Sequence, residues 1–303
     1  MDRLMGLRAF VRVVELGGFT KAADSMQLPK TTVSDLVQSL EKHLGVRLLQ
    51  RTTRRVTVTQ DGAAFYERCS HILADLDEAE ASVMQARVAP KGRLRVDMPG
   101  ALARLFIIPQ LPQFLARYPD LRLELGMGLR PTDLVEEGID CVVRFGIQPD
   151  SSFVARRVGT MTSVCCASPA YLREHGTPLR PEDLSTHRCV NYLSNRSGRI
   201  LDWEFARGGH KVGLTLDGVL AVNDHDAYVV AGLMSFGIVK VANYVARPYL
   251  ESGQLTQVLT DWTAEQYPIS VIYPQSRHLS AKVRIFVDWV SELIQQEPLF
   301  QSP

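Results

Sequence analysis

"FTKAADSMQLPKTTVSDLVQSLEKHLGVRLLQRTTRRVTVTQDG", Phe19 to Gly62, is the stretch whose reading decides the fold. Within it Val33, Leu36, Val37 and Leu40 recur at the spacing of one helical face. Pro29 is acceptable in a helix's first turn and opens this one, and Gly45 ends it after Leu44. The other side of the helix carries Lys30, Thr31, Thr32 and Ser34, a single charge followed by small hydroxyl groups. A short helix with Thr20 as its expected cap lies just before and buries Ala22, Ala23 and Met26. Two helices joined by so tight a turn read as a helix-turn-helix.

Working outward, Leu4, Leu7, Phe10, Val11 and Val14 make the apolar face of a first helix that Gly17 and Gly18 stop. On the other side "VRLLQR" and "RVTVT" are short strand-like runs, which implies a hairpin, or wing, with arginines at its tip. Thr59 is placed to cap the next helix, where Phe65, Cys69, Ile72, Leu76, Ala79, Val83 and Ala86 recur at steps of four and three. That heptad seam runs along a helix of roughly 40 Å, too long to be packed wholly inside a small winged domain. It predicts pairing with a second chain; the alternative is a plain amphipathic core helix.

"VAPKGR", residues 88 to 93, reads as a linker, and from Leu94 strands and helices alternate. "LRVDM", a helix from about Leu102 to Arg117, "LRLEL", a helix around Leu134 and "CVVRF" predict βαβ units and a mainly parallel sheet. "SVCCA", "LTLDGVLAV", "GIVKV" and "ISVIY" are further strand candidates before a last helix from about Ser280 to Gln295.

Composition narrows the function. The 303 residues are 46% hydrophobic with a net charge of +1, enough for ordinary cores in more than one domain. Residues 1 to 60 carry ten basic groups against five acidic ones, so a basic head sits on a mildly acidic body, as a polyanion-binding module would. The five cysteines contain no C-x-x-C pair, which fits reduced cytoplasmic thiols rather than a disulfide framework or zinc site. Arg8, Arg12 and Glu15 break the N-terminal apolar run, making it a poor export signal, and Lys240 and Asn243 interrupt the longest apolar stretch.

Three stretches imitate catalytic motifs. "GMGLRP" at Gly126 has Pro131 in place of the third glycine of a dinucleotide fingerprint, and "GLMSFG" misses a nucleophile elbow by one residue. "NDHDAY", residues 223 to 228, gathers Asp224, His225 and Asp226 but reads as a polar loop at a strand end without a partner cluster. No enzyme reading gains a second motif. Adjacent Cys165 and Cys166 raise a redox-sensing alternative, although neighbours on a strand face opposite ways and buried thiols are the default.

The stretch Phe19 to Gly62 resembles the winged helix-turn-helix of LysR-type transcriptional regulators, with the double alanine, V-S, L-E, L-G, the wing arginine and T-x-x-G in register. "RPTDLVEEGIDCVVRFG", "CCASPAYLREHGTP" and "HRCVNY" extend the likeness through the second half. The sequence departs from the pattern at Lys30, Asp35 and Leu49, the first two of which bear on the operator. The resemblance implies an α+β multi-domain chain: a winged helix-turn-helix at 1–60, a linker and dimerisation helix at 61–88, and an α/β two-lobed, periplasmic-binding-protein-like effector domain at 89–303. Lobe I is placed at 92–161 and 267–303, lobe II at 162–266.

By the same resemblance the protein is a DNA-binding transcriptional regulator and not an enzyme. It is cytoplasmic, needs no cofactor or metal, and binds double-stranded promoter DNA and a small-molecule effector between the lobes. It pairs with itself as a dimer assembled into a tetramer, and a contact with RNA polymerase is compatible with it. A solute-binding receptor is the remaining alternative, opposed by the basic winged head. Lys30, Thr31, Thr32 and Ser34 are expected at base edges, with Gln38, Arg51, Arg54 and Arg55 on phosphates. The seam Phe65, Cys69, Ile72, Leu76, Ala79 and Val83 is the expected dimer contact. For the effector the resemblance suggests Pro99, Gly100, Ala101, Arg130, Thr132, Phe145, Ser194, Asn223 and Phe236, with Arg144 able to hold a carboxylate.

Overall fold

A computed structural model describes residues 2–51, 56–83, 90–128, 134, 137–146, 153–195, 197–264, 266–275 and 279–301. They belong to two compact units, Met1–Gly92 and Arg93–Pro303.

In the first unit, α1 (Arg3–Leu16) is capped by the Asp2 carboxylate, which accepts from Met5 N, and ends at Gly17 in the left-handed conformation, φ 69°. The cap of α2 (Phe19–Met26) is Gly18, not Thr20. Gly18 donates to Val13 O and accepts from Ala22 N, so the chain passes from one helix to the next without room for a later start. After Gln27, also left-handed, α3 (Lys30–Leu44) begins behind Pro29 and stops at Gly45. Val33, Val37 and Leu40 are buried in one cluster with Ala9, Phe10, Val13, Ala22 and Ala23. The small alanines allow the helices to approach closely.

The wing is the antiparallel pair β1 (Leu49–Arg51) and β2 (Val56–Val58). Two contacts fasten it to the helices. The Glu41 carboxylate of α3 accepts from Leu48 N and Leu49 N at 2.8 and 3.0 Å. Thr59 Oγ1 donates to Arg47 O and accepts from Gly62 N at 2.9 Å, capping α4 (Gln60–Val83) as expected. A side chain at Gly62 could not fit, since its Cβ would lie 2.0 Å from Leu48 O.

The 24 residues of α4 span about 36 Å. Its first turns pack inward: the Phe65 ring lies 5.7 Å from Phe10, and Cys69 and Leu73 are buried in the unit's core. Phe65 and Cys69 of the expected seam therefore face their own unit, because a helix lying on α1 must cover that stripe. Ile72 remains 56% exposed and Leu76 half-buried. The side chains of Ala79 and Val83 lie outside what is described.

The second unit starts on β3 (Gly92–Met98). A helical run follows from α5 (Gly100–Leu102) through a π turn, Ala103–Ile107, and a 3₁₀ turn, Ile108–Gln110, to α6 (Leu111–Arg117). It replaces the single expected helix because Pro109 and Pro112 lack the N–H groups a regular ladder needs. Next come β4 (Leu121–Met127), β5 (Cys141–Phe145), β6 (Phe153–Ala167), α7 (Pro169–His175), β7 (Val190–Tyr192), β8 (Trp203–Arg207), β9 (His210–Leu214) and β10 (Leu220–Val222). The chain ends through α8 (His225–Leu233), β11 (Val239–Ala242), α9 (Asn243–Glu251), β12 (Thr256–Val258), β13 (Thr263–Ala264), β14 (Gln266–Pro274) and α10 (Ala281–Gln296). The helix expected around Leu134 falls almost wholly outside the described residues, and Leu134 itself lies in a turn.

The main sheet has the order β4-β3-β5-β14-β6-β11, with β12 also on β6. It is mixed, not mainly parallel. β3 and β5 run parallel, but β14 returns from late in the chain into the gap between β5 and β6 and opposes both. β6 pairs with β14 over Phe153–Thr162 and then with β11 and β12 over Ser163–Ala167, so one strand serves both lobes. A smaller sheet holds the hairpin β8–β9, turned by Gly208 and Gly209 at φ 55° and 83°. Those paired glycines are the signal for a hairpin that periodicity alone did not single out. α10 is pinned by Lys282, whose Nζ lies 2.9 Å from Asp140 Oδ1 and donates to Arg93 O, with the two side chains 7% and 9% exposed.

Candidate functional site

α3 presents a polar edge opposite its buried one. Lys30, Thr31, Asp35 and Gln38 are exposed, and Thr32 and Ser34 are half-buried beside them. Steps of four from Lys30 to Ser34 to Gln38 put these three on one line along the helix. The edge carries no net charge, the Lys30 ammonium standing against the Asp35 carboxylate with hydroxyl and amide groups beside them, all suited to base edges. Of the residues expected on phosphates, Arg54 and Arg55 and the side chain of Arg51 lie outside what is described.

The second unit contains a cavity of about 530 Å³ between β-strand ends and helix starts. Pro99, Gly100, Ala101 and Arg104 line it from the run after β3, Met127 and Gly128 from the end of β4, and Asn223 to Asp226 from the start of α8. Asp97, Glu137, Asn195 and Tyr244 complete the wall. Gly126 is needed here because a Cβ would lie 2.6 Å from the Asp97 carboxylate, and at Gly128 a Cβ would press on the same oxygen at 3.2 Å.

Pro99, Gly100, Ala101 and Asn223 therefore stand on the cavity. Others do not. Asn195 lines it in place of Ser194, whose backbone is held in a turn with Gly198 and Arg199. Phe236 is 48% exposed away from it, because Ser235 turns the chain through the left-handed region, φ 62°. Phe145 sits one layer behind, against the Tyr244 ring. Arg144 is engaged with another residue of the wall: its Nη2 lies 2.7 Å from Asp97 Oδ1, with the side chains 12% and 13% exposed. Arg130 and Thr132 lie outside the described residues.

"NDHDAY" contributes four of the lining residues. Asp224 caps α8, its Oδ1 accepting from Asp226 N and Ala227 N at 3.1 and 2.9 Å. Asp226 is ion-paired to Arg104. His225 Nδ1 lies 2.7 Å from the Tyr192 hydroxyl, and burial holds its pKa down against the opposing pull of Asp224 and Asp226. A polar loop and a ligand-facing wall look alike in sequence; the contact of Asp226 with Arg104, 122 positions away, is what distinguishes them here. Among the described residues no group of three potential metal ligands converges, and no helix is long and apolar enough to cross a membrane.

The cysteines are free and buried. Cys165 belongs to one buried cluster with Trp203 and Ile238, and Cys166 to another that includes Val190, as opposite faces of β6 require. Burial pushes Cys166 and Cys189 up to about 12 and Cys165 further, which disfavours a reactive thiolate.

The profile of the bacterial regulatory helix-turn-helix protein, lysR family, matches residues 4–63, and that of the LysR substrate binding domain matches residues 87–295. The chain belongs to the LysR family. Among relatives of this LysR protein, the HTH-type transcriptional repressor PA14_22550 of Pseudomonas aeruginosa is 40% identical over 301 residues, 99% of this chain and 95% of the relative. The uncharacterized HTH-type transcriptional regulator YhjC of Escherichia coli is 38% identical over 296 residues, 98% of this chain and 99% of the relative. Full-length AphB, a virulence activator of Vibrio cholerae, is similar in structure with a TM-score of 0.59 and 31% identity, over 94% of this chain and 97% of AphB. CrgA of Neisseria meningitidis gives 0.61 and 29%, over 95% and 97%. The protein is a sequence-specific DNA-binding regulator with an effector-binding C-terminal domain, and its family is one of regulators rather than enzymes.

Proposed function

We propose that this LysR regulator binds an interrupted inverted repeat in promoter DNA as a dimer, with one α3 per half-site in the major groove and the wing beside it. Lys30, Thr31, Thr32 and Ser34 read base edges, while Gln38 and the wing arginines Arg51, Arg54 and Arg55 position phosphates. The carrying observation is the α3 edge itself, polar and without net charge, opposite a stripe clamped into the core. A strongly charged edge would favour any phosphate backbone equally.

Self-association is supported by Ile72, a large apolar residue left outside on a helix that outruns its own core, and by Val230, Met234 and Phe236 exposed near one another in sequence around the end of α8. The dimers assemble in pairs, in the cytoplasm, within reach of RNA polymerase. The cavity bounded by Pro99–Ala101 and Asn223–Asp226 takes the small-molecule effector, which shifts the assembly toward whichever arrangement it binds more tightly.

Electrophoretic shifts with the chain's own upstream DNA test the docking. Thr32→Ala is expected to change preference among operator variants by roughly 1 kcal/mol or more, the size of one base-edge contact. Unchanged affinity and preference would rule the docking out.

A further inference from the structure

Arg104 and Asp226 line the same cavity and form an ion pair, yet they are carried by elements from opposite ends of the main sheet. Arg104 lies on the helical run that follows β3, and β3 is flanked by β4 and β5. Asp226 is in the first turn of α8, which packs on β11, with β5, β14 and β6 standing between β11 and β3. The backbone crosses that interval through β6, which pairs first with β14 and then with β11 and β12. The ion pair crosses it a second time, by side chains.

Exposure tells where on the cavity the pair stands. The Arg104 and Asp226 side chains are 43% and 54% exposed, whereas Tyr244 of the same wall is 6% exposed. The pair is therefore at the solvent end, and parting it uncovers no core. Each partner is placed independently of the other. Gly100 leaves the room that Arg104 occupies, since a Cβ there would lie 3.3 Å from Arg104 Nη1 and crowd it. Arg104 also belongs to the π turn Ala103–Ile107, a wide turn of the kind that recurs at functional sites. On the other side Asp226 N donates to Asp224 Oδ1, which fixes the turn that carries the Asp226 carboxylate.

An ion pair this exposed shifts an equilibrium by no more than roughly two- to fivefold. That is too little to hold a fold together and enough to bias a rotation within one. We propose that Arg104 and Asp226 form a clasp across the cavity mouth: made, it holds the β3 side and the α8 side at one setting about β6, and broken, it frees them to rotate. Because both side chains line the cavity, a ligand bound at the mouth and the clasp act on each other by the same factor. That consequence for the effector rests on this cavity being its site; the clasp itself does not.

Hydrogen exchange on the full chain, with neither small molecule nor DNA added, tests the clasp by its effect on the far side. Arg104→Gln is expected to speed exchange in α8 roughly two- to fivefold, and Asp226→Asn to do the same in Ala103–Ile107. The double variant should be no faster than either single one, as two halves of one interaction require. At high salt the parent's rates should converge on the variants'. A rise confined to the element that carries the substitution would be local fraying and would overturn the clasp. Effects that add in the double variant, or rates equal to the parent's in both single variants, would overturn it too. No ligand enters the measurement, so failure of the clasp leaves the effector reading of the cavity standing, and failure of that reading leaves the clasp standing.

Discussion

Replacing Glu41 by alanine removes the clamp between the recognition helix and the wing. Its carboxylate accepts from Leu48 N and Leu49 N, both on buried residues at the entry to β1. Hydrogen bonds to a charged group are worth about 1.5–3 kcal/mol each, and their loss leaves two backbone donors unpaired. The half-buried position of Glu41 lets water recover part of that, so Glu41→Ala should cost roughly 2–4 kcal/mol in the first unit. Glu41→Gln keeps a neutral oxygen in place and should cost about half as much. Hydrogen exchange over residues 30–62 reads the local effect. The three tryptophans, Trp203, Trp262 and Trp289, all lie in the second unit, so their emission is an internal control that should not move. DNA affinity should fall with little change in sequence preference, because the edge of α3 is untouched while the wing loses its anchor. Protection of Leu48 and Leu49 amides equal to the parent's in Glu41→Ala would refute the reasoning.

Three further outcomes follow from buried groups. Lys282→Met removes the Lys282 ammonium from the buried Asp140 carboxylate and should lower stability of the second unit by about 3–5 kcal/mol, read by the denaturation midpoint from tryptophan emission. Burial raises all five thiols, Cys69 to about 11, so a thiol reagent at pH 8 should label the folded chain slowly and all five sites rapidly after unfolding. Burial also holds His187 and His225 below their ordinary value of 6.5, so the unfolded chain takes up protons first. Their contribution to stability is complete above that pH and is lost as pH falls through the lowered values; His225→Gln should flatten the fall in melting temperature between about pH 7 and 5.

The helix-turn-helix and wing were legible because their determinants are local: Gly17, Pro29, Gly45 and Thr59 mark ends within a few residues of the groups they satisfy. Thr20 misled because any threonine before an apolar run resembles a cap, and only the Gly18 hydrogen bonds exclude it. The seam on α4 was legible as a pattern but not as a partner, since Phe65 and Cys69 satisfy the same spacing by packing on α1. The sheet was half legible. βαβ alternation implied β3 parallel to β5, while insertion of β14 between β5 and β6 depends on residues more than a hundred positions apart. The cavity was marked by its strand ends, Pro99 to Ala101 and Asn223, but Asp97, Glu137 and Tyr244 join its wall only because distant parts of the chain come together there.

β6 gives the effector domain a mechanical character. Fifteen residues run from one lobe's sheet into the other's without a break, and the ladder with β14 slips register between Ile269 and Ser270, opposite Val158. A loop hinge between lobes would swing freely, whereas a hydrogen-bonded strand resists like a torsion bar. Relative motion must be taken up as twist along the ladder, with the bulge its softest point.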